Sequence, residues 1–184
     1  MTIRVLRRLE PFNYAKQVEL QGAEHYAGLA TDAPDKIASW VFTFLENRER
    51  SHYALFEALQ SRRPLPLPRS DGGAVSVDEV VGRVAVLYRT LGVVPCDPHG
   101  TYERARDFEK NSIAFFEELM SRTRDARRCR EIEKVLKEEQ RHAELVSRLA
   151  QLYRRPNAWL SDCASMIADA SIPSGGLPSG CASW

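Results

Sequence analysis

The chain has 184 residues, 28% of them charged, and a formal net charge of +1 at pH 7. That length suits one domain with its own core, and the near-neutral balance argues against nucleic acid or a membrane surface as a partner. Met1 to Ala15 carries arginines with no apolar stretch behind them, and no run is long enough to span a bilayer, so a cytoplasmic protein is expected.

Four segments repeat apolar residues at three- and four-residue steps, which predicts helices. The first runs from about Asn13, taken as its N-cap, to Ala30, with the stripe Ala15, Val18, Gly22, Tyr26 and Leu29. The second covers about Asp35 to Gln60, with Phe42, Leu45, Phe56 and Leu59 on one face. The stretch from Ser61 to Thr101 opens with Pro64, Pro66, Pro68 and Asp71-Gly72-Gly73, which predicts irregular chain. Within it, Ser76 and Glu79 make a capping box, Val77, Val80, Val81, Val84, Leu87, Tyr88 and Leu91 line one face, and Gly92 marks a stop, so a short extra helix is expected.

The third long segment covers about Tyr102 to Met120, carrying Ala105, Phe108, Ile113, Phe116 and Leu119. The fourth covers about Asp125 to Tyr153, carrying Ile132, Val135, Val146 and Leu149. The short links Thr31–Pro34 and Ser121–Arg124 predict two antiparallel hairpins, and the long connection between them lets the second and third long helices run parallel. The expected fold is therefore an all-α four-helix bundle over residues 1–155, with a crossover over residues 61–101. Residues 156–184 read as a C-terminal extension, with room for a short helix over Ala158–Ala170 and a weakly ordered tail from Ser171 to Trp184. Cys96, Cys129, Cys163 and Cys181 contain no Cys-x-x-Cys pair, which argues against a zinc ribbon or rubredoxin-type iron and for free thiols.

The second long helix contains Glu49-Arg50-Ser51-His52, and the fourth contains Glu139-Gln140-Arg141-His142. Each Glu-x-x-His puts a carboxylate and an imidazole on one helix face, one turn apart. Thirty residues before these motifs stand Glu19 and Glu109, so Glu19, Glu49 and His52 recur as Glu109, Glu139 and His142 at an offset of ninety. Ala15 with Ala105, Leu29 with Leu119, Asp35 with Asp125, Leu55 with Leu145 and Leu59 with Leu149 follow the same offset.

All six polar residues interrupt apolar seams. In the second helix the seam reads Phe42, Leu45, Glu49, His52, Phe56, Leu59; in the fourth it reads Ile132, Val135, Glu139, His142, Val146, Leu149. Four carboxylates converging in one apolar core are costly unless cations neutralise them. Two divalent ions cancel the four charges, and two imidazoles complete the donor set. A Glu from each of two helices plus Glu-x-x-His from the other two is the ligand set of ferritin-like di-iron and di-manganese bundles. The competing reading, solvated helix charges, would suit one such motif better than two at matched spacing on core seams.

Other polar residues carry milder expectations. His25 lies off the seam and His99 in the crossover, so both are expected to be exposed non-ligands. Glu46 and Glu138 flank the seam, either solvated or touching a ligand from outside, and Arg122, Arg124, Arg127, Arg128 and Arg130 suit a solvated turn. Tyr26 is either core packing or a hydroxyl bonded to a ligand carboxylate, and Cys129 is expected to be an ordinary buried thiol.

These stretches, Ala15–Ala30 with Glu19 and Tyr26, Leu45–Leu59 with Glu49 and His52, Ala105–Met120 with Glu109, and Leu136–Tyr153 with Glu139 and His142, resemble the rubrerythrin family of the ferritin-like superfamily. The resemblance implies a site of two iron ions per chain, with manganese or zinc as possible substitutes, that reacts with hydrogen peroxide or dioxygen in the setting of oxidative stress. In that reading Glu49 and Glu139 bridge the metals, Glu19 and Glu109 are terminal ligands, and His52 and His142 give one imidazole to each. Homodimers or higher homo-oligomers are expected.

Two departures stand out. Typical rubrerythrins place a further Glu where this chain has Ser112, and they append a rubredoxin domain that this chain lacks, so electrons must come from a separate donor protein. The symmetric six-residue set is that of bacterioferritin, but Arg50 stands where bacterioferritin has its haem-binding Met, so no haem is expected. Three functions remain open at this point: a peroxidase- or oxidase-type redox enzyme, a ferroxidase or iron-storage protein, and a non-catalytic helical interaction module.

Overall fold

The computed structural model describes residues 11–61, 63–64, 76–97 and 99–156, and among them all regular secondary structure is helical. In chain order these are α1 (Pro11–Thr31), α2 (Lys36–Gln60), α3 (Val77–Leu91), α4 (Thr101–Arg122) and α5 (Ala126–Arg154). The expected short helix after residue 157, the C-terminal tail, Cys163, Cys181 and most of the proline-rich stretch lie outside the described residues.

Local chemistry fixes most of the ends. Asp35 caps α2, its Oδ1 accepting from the Ala38 amide at 2.9 Å, and Asp125 caps α5 in the same way through the Arg128 amide at 2.8 Å. Ser76 caps α3 through the Glu79 amide at 3.1 Å, and Gly92, at φ 62°, closes that helix in the left-handed region where a side chain would be strained. Gly100 offers α4 no side-chain cap, and Asp97 replaces it, accepting from the Thr101 amide at 3.0 Å and the Tyr102 amide at 3.2 Å. Asn13 is not the expected cap. The chain is already helical at Pro11, and Asn13 Oδ1 instead accepts from Gln60 Nε2 at 2.7 Å, tying α1 to the end of α2.

The helices form a bundle in which α1 packs along α2, α4 along α5, and α3 against α5. Its core divides in two. One apolar cluster holds Phe12, Ala15, Phe56, Leu59, Phe116, Ile132 and Val135; the other holds Tyr26, Leu29, Phe42, Leu45, Tyr102, Val146 and Leu149, with Val80, Val81, Val84 and Tyr88 of α3 joining it. On each long helix the polar residues of the repeat fall between residues of the two clusters, so apolar layers close over them from both ends. Leu91, placed by its spacing on the apolar face of α3, is 51% exposed as the last residue of that helix. Among the described residues no helix is long and apolar enough to cross a membrane.

Candidate metal centre

Glu19 on α1, Glu49 and His52 on α2, Glu109 on α4, and Glu139 and His142 on α5 meet in the layer between the two clusters, each at most 5% exposed. Their donor atoms fall into two groups, Glu19–Glu49–His52–Glu139 and Glu49–Glu109–Glu139–His142, within each of which the atoms lie inside 4.8 Å of one another. Glu49 and Glu139 belong to both. Nδ1 of His52 is 3.3 Å from Glu19 Oε2 and 3.0 Å from Glu139 Oε1; Nδ1 of His142 is 3.2 Å from Glu49 Oε1 and 3.7 Å from Glu109 Oε1. The imidazole rings face each other, nearly parallel, at 5.8 Å.

The inward atoms have no hydrogen-bond geometry to satisfy them. Both carboxylate oxygens of Glu19, Oε1 of Glu49 and Glu139, Oε2 of Glu109 and Nδ1 of both histidines are buried without a partner. Buried polar atoms are ordinarily bonded, and seven orphans around one point form a donor set that could hold metal ions. Carboxylates with imidazoles are the donor chemistry of iron, manganese and zinc.

Electrostatics point the same way. Without a cation between them, burial pushes the Glu19 carboxyl up to about 7, and burial together with the Glu139 charge raises Glu49 and Glu109 well above the ordinary carboxylate range. Burial works against the charged form of Glu139 too, but the close approach of the His52 imidazole, the charge the two histidines can carry and the Ser112 hydroxyl outweigh it and hold this acid low. Burial pulls His142 down to about 4, whereas at His52 the Glu19 charge and the surrounding carboxylates overcome burial and raise it. The layer thus holds protons where a metal would put positive charge.

The surroundings complete the site unevenly. Tyr26, fully buried, both packs in the core and donates its hydroxyl to Glu109 Oε1, so its two readings hold together. Ser112 Oγ donates to Glu139 Oε2 at 2.8 Å. At the offset position stands Gly22, where an added Cβ would lie 2.6 Å from Glu49 Oε2; the glycine makes room for that carboxylate. Glu138, beside the seam, bonds His52 Nε2 at 3.1 Å and pairs with Arg48, its own counterpart at an offset of ninety. Of the two readings open for Glu138, its contact with His52 is the one observed; the roles of Gly22, Ser112 and Arg48 were not read from the sequence, although the repeat pairs Gly22 with Ser112 and Arg48 with Glu138.

His25 departs from its expected exposure. It is half-buried, stacked on Phe108 at 4.8 Å, because α4 packs over the flank of α1 that the seam leaves open. His99 is exposed, Glu46 pairs with Arg50 on the surface of α2, and Cys129 is half-buried with a free thiol, as is exposed Cys96. Comparisons of the chain with protein-family models, with curated proteins and with solved structures found no match.

Proposed function

We propose that the chain is a rubrerythrin-like protein of the ferritin-like class, a two-hairpin bundle that holds two iron ions and reduces hydrogen peroxide or dioxygen with electrons from a separate donor. The observation that carries this reading is the pair of overlapping buried donor groups, Glu19–Glu49–His52–Glu139 and Glu49–Glu109–Glu139–His142, whose inward atoms are without hydrogen-bond partners. Bound there, an iron pair would supply two electrons and open positions for an oxygen ligand.

The chain's own residues do the rest. Glu49 and Glu139, shared by the two groups, would bridge; Glu19 with His52 and Glu109 with His142 would complete one ion each. Glu138 holds the His52 ring by its outer nitrogen, which keeps Nδ1 turned inward. Ser112 and Tyr26 fix the orientation of Glu139 and Glu109 by hydrogen bonds. The two apolar clusters keep bulk water from the layer. Beside His142 a half-open pocket of about 30 Å³, lined by Phe44, Arg48, Val80 and Arg141 among others, has room for a reactant the size of water or peroxide.

A ferroxidase role is the second reading, favoured by Ser112. A hydroxyl at this position cannot serve as an additional carboxylate ligand, so the site keeps a symmetric six-residue set. Anaerobic loading with Fe(II), followed by one equivalent of peroxide, tests the iron site through the visible absorption of a diferric pair. Sustained peroxide consumption with an added reductase separates enzyme from ferroxidase, and loading that saturates at one ion or none would overturn both.

A further inference from the structure

A tyrosine cluster marks the end of the bundle at which α5 stops. Tyr153, on the last turn of α5, meets Tyr88 of α3 edge-on at 5.9 Å and lies 4.7 Å from Tyr102 on the first turn of α4. The hydroxyls of Tyr88 and Tyr153 touch, and Tyr88 donates to Asp35, the N-cap of α2, at 2.7 Å. The stretch from Leu91 to Cys96 runs between Tyr88 and Tyr102. It is anchored on both sides: the Val93 amide donates to the Tyr88 carbonyl at 3.3 Å, Pro95 is buried, and Asp97 caps α4. The chain therefore leaves α5, through Arg155 and Pro156, at the same end of the bundle as Leu91–Cys96.

That stretch is apolar and uncovered. Val93 is 47% exposed and Val94 61%, and with Leu91 they make three of the four large apolar side chains exposed among the described residues. Single apolar residues on a surface are ordinary, but three within four positions form a patch. Residues 157–184 lie outside the described residues, and their sequence holds a complement. On a helix over Ala158–Ala170, Trp159, Leu160, Cys163, Met166 and Ile167 share one face, and Ser161, Asp162, Ser165 and Asp169 share the opposite one. Asn157 stands in the sequence where an N-cap is favoured. A helix with such a stripe needs an apolar surface to cover it.

Attachment decides which segment fits. Trp159 follows Tyr153 by six residues, a reach of up to about 20 Å. The proline-rich stretch over residues 65–75 is tied to α2 through Pro64, and it joins α3 near Val77, roughly 20 Å of helix away from Leu91. Residues 1–10 enter at Pro11, next to Phe12 in the other apolar cluster. Charge agrees with the choice. Arg89 and Arg155 are exposed beside the patch and beside the point where the segment departs, and Asp162 and Asp169 suit them.

We propose that residues 158–170 dock as a helix on the Leu91–Val93–Val94 patch of the same chain, apolar face inward, and close this end of the bundle. The docking does not depend on what the carboxylate layer binds. It brings Cys163, in the middle of the apolar face, near Cys96, which is exposed two residues beyond Val94.

The test uses the full chain in native buffer. Hydrogen exchange read by mass spectrometry should show amides of residues 158–170 exchanging more slowly than those of 171–184. L91S/V93S/V94S changes only exposed side chains and should release that protection while leaving α1, α2, α4 and α5 unchanged. W159S/I167S should do the same from the other side of the contact. A short bis-maleimide, followed by peptide mapping, should join Cys96 to Cys163 within one chain, at a rate that falls about tenfold in L91S/V93S/V94S as the segment becomes a freely searching tether. Thermal melts confirm that both variants keep the bundle. Rapid exchange throughout 158–184 in wild type would overturn the proposal. Protection that survives L91S/V93S/V94S would place the segment elsewhere and overturn it too. Links that join Cys96 of one chain to Cys163 of another would overturn docking within the chain and give the patch to a second copy.

Discussion

Glu138 Oε2 lies 3.1 Å from Nε2 of His52, and Arg48 occupies the position ninety residues earlier, so only one of the two imidazoles is backed by a carboxylate. The outer nitrogen of His142 has no such partner among the described residues, and its ring borders the small cavity that Arg48 and Arg141 also line. A carboxylate behind a histidine fixes the ring and makes its inner nitrogen a stronger donor. Glu138 is suited to this. Burial works to raise its pKa, but the hydrogen bond and charge of His52, with the charge of Arg48, bring it down to about 2.

The two halves of the site should therefore bind metal unequally, the His52 half first. Stepwise titration with Fe(II) under anaerobic conditions should resolve two affinities. Glu138→Gln should weaken the tighter step by about 10- to 100-fold and leave the weaker step nearly unchanged. Two indistinguishable affinities in wild type, untouched by the substitution, would show that the asymmetry has no bearing on binding.

Gly22 offers a substitution whose effects on fold and site have opposite signs. Alanine in a helix interior stabilises by roughly 0.5–1 kcal/mol relative to glycine, but the new Cβ would lie 2.6 Å from Glu49 Oε2. In Gly22→Ala the carboxylate must swing away. With chelator present the variant should melt no lower than wild type, while its affinity for Fe(II) falls. A variant that binds as tightly as wild type would remove Glu49 from the ligand set or show that the carboxylate has another equally good position.

The pH dependence follows from the protons held in the layer. In the absence of metal, Glu19 is raised from 4.5 to about 7, and Glu49, Glu109 and His52 are raised as well. Each keeps a proton in the folded chain at a pH where the unfolded chain has released it, so each contributes stability at low pH that is lost as pH rises through its folded value. Glu139, lowered from 4.5, and His142, lowered from 6.5 to about 4, act in the opposite direction, but most of their gain is already in place at pH 6.5 and little is added above it. Chelated protein should therefore melt lower at pH 8 than at pH 6.5. Metal-loaded protein should show the reverse, because coordination requires the deprotonated ligands. Parallel slopes with and without metal would mean that these six residues do not coordinate.

Much of this was legible in the sequence because the repeat is written in the side chains that meet. Glu-x-x-His twice, each with Glu thirty residues earlier, places six donors on core seams, the Ser76 capping box marked the start of α3, and the segment bounds near Asp35 and Asp125 fall on the observed N-caps of α2 and α5. What escaped depends on how helices face one another. The contact of Glu138 with His52 crosses from α5 to α2, and nothing in the local pattern of α5 distinguishes Glu138 from a solvated acid. The tyrosine cluster draws on α3, α4 and α5 and on the N-cap of α2, residues far apart in the chain with no shared periodicity. His25 was misplaced for a related reason: a residue off the metal seam can still be covered by a neighbouring helix, here through Phe108.

The sharpest test of the centre removes both shared carboxylates at once. Glu49→Ala with Glu139→Ala takes away the two groups that belong to both donor sets, and with them two of the four buried acids. Metal binding should collapse. The chelated bundle, however, should be no less stable than chelated wild type at pH 8, and more stable if the vacated space repacks. Relief of desolvation and of repulsion among Glu19, Glu49, Glu109 and Glu139 favours the variant; the lost contacts of Glu139 with Ser112 and His52 oppose it. If the six residues served only the fold, the double substitution would instead leave buried imidazoles without their carboxylate partners and destabilise by about 3–5 kcal/mol. Denaturant melts of wild type and variant, each with chelator and with anaerobic Fe(II), separate these outcomes. A stabilising effect of iron that is equal in both proteins would mean that the ions bind elsewhere.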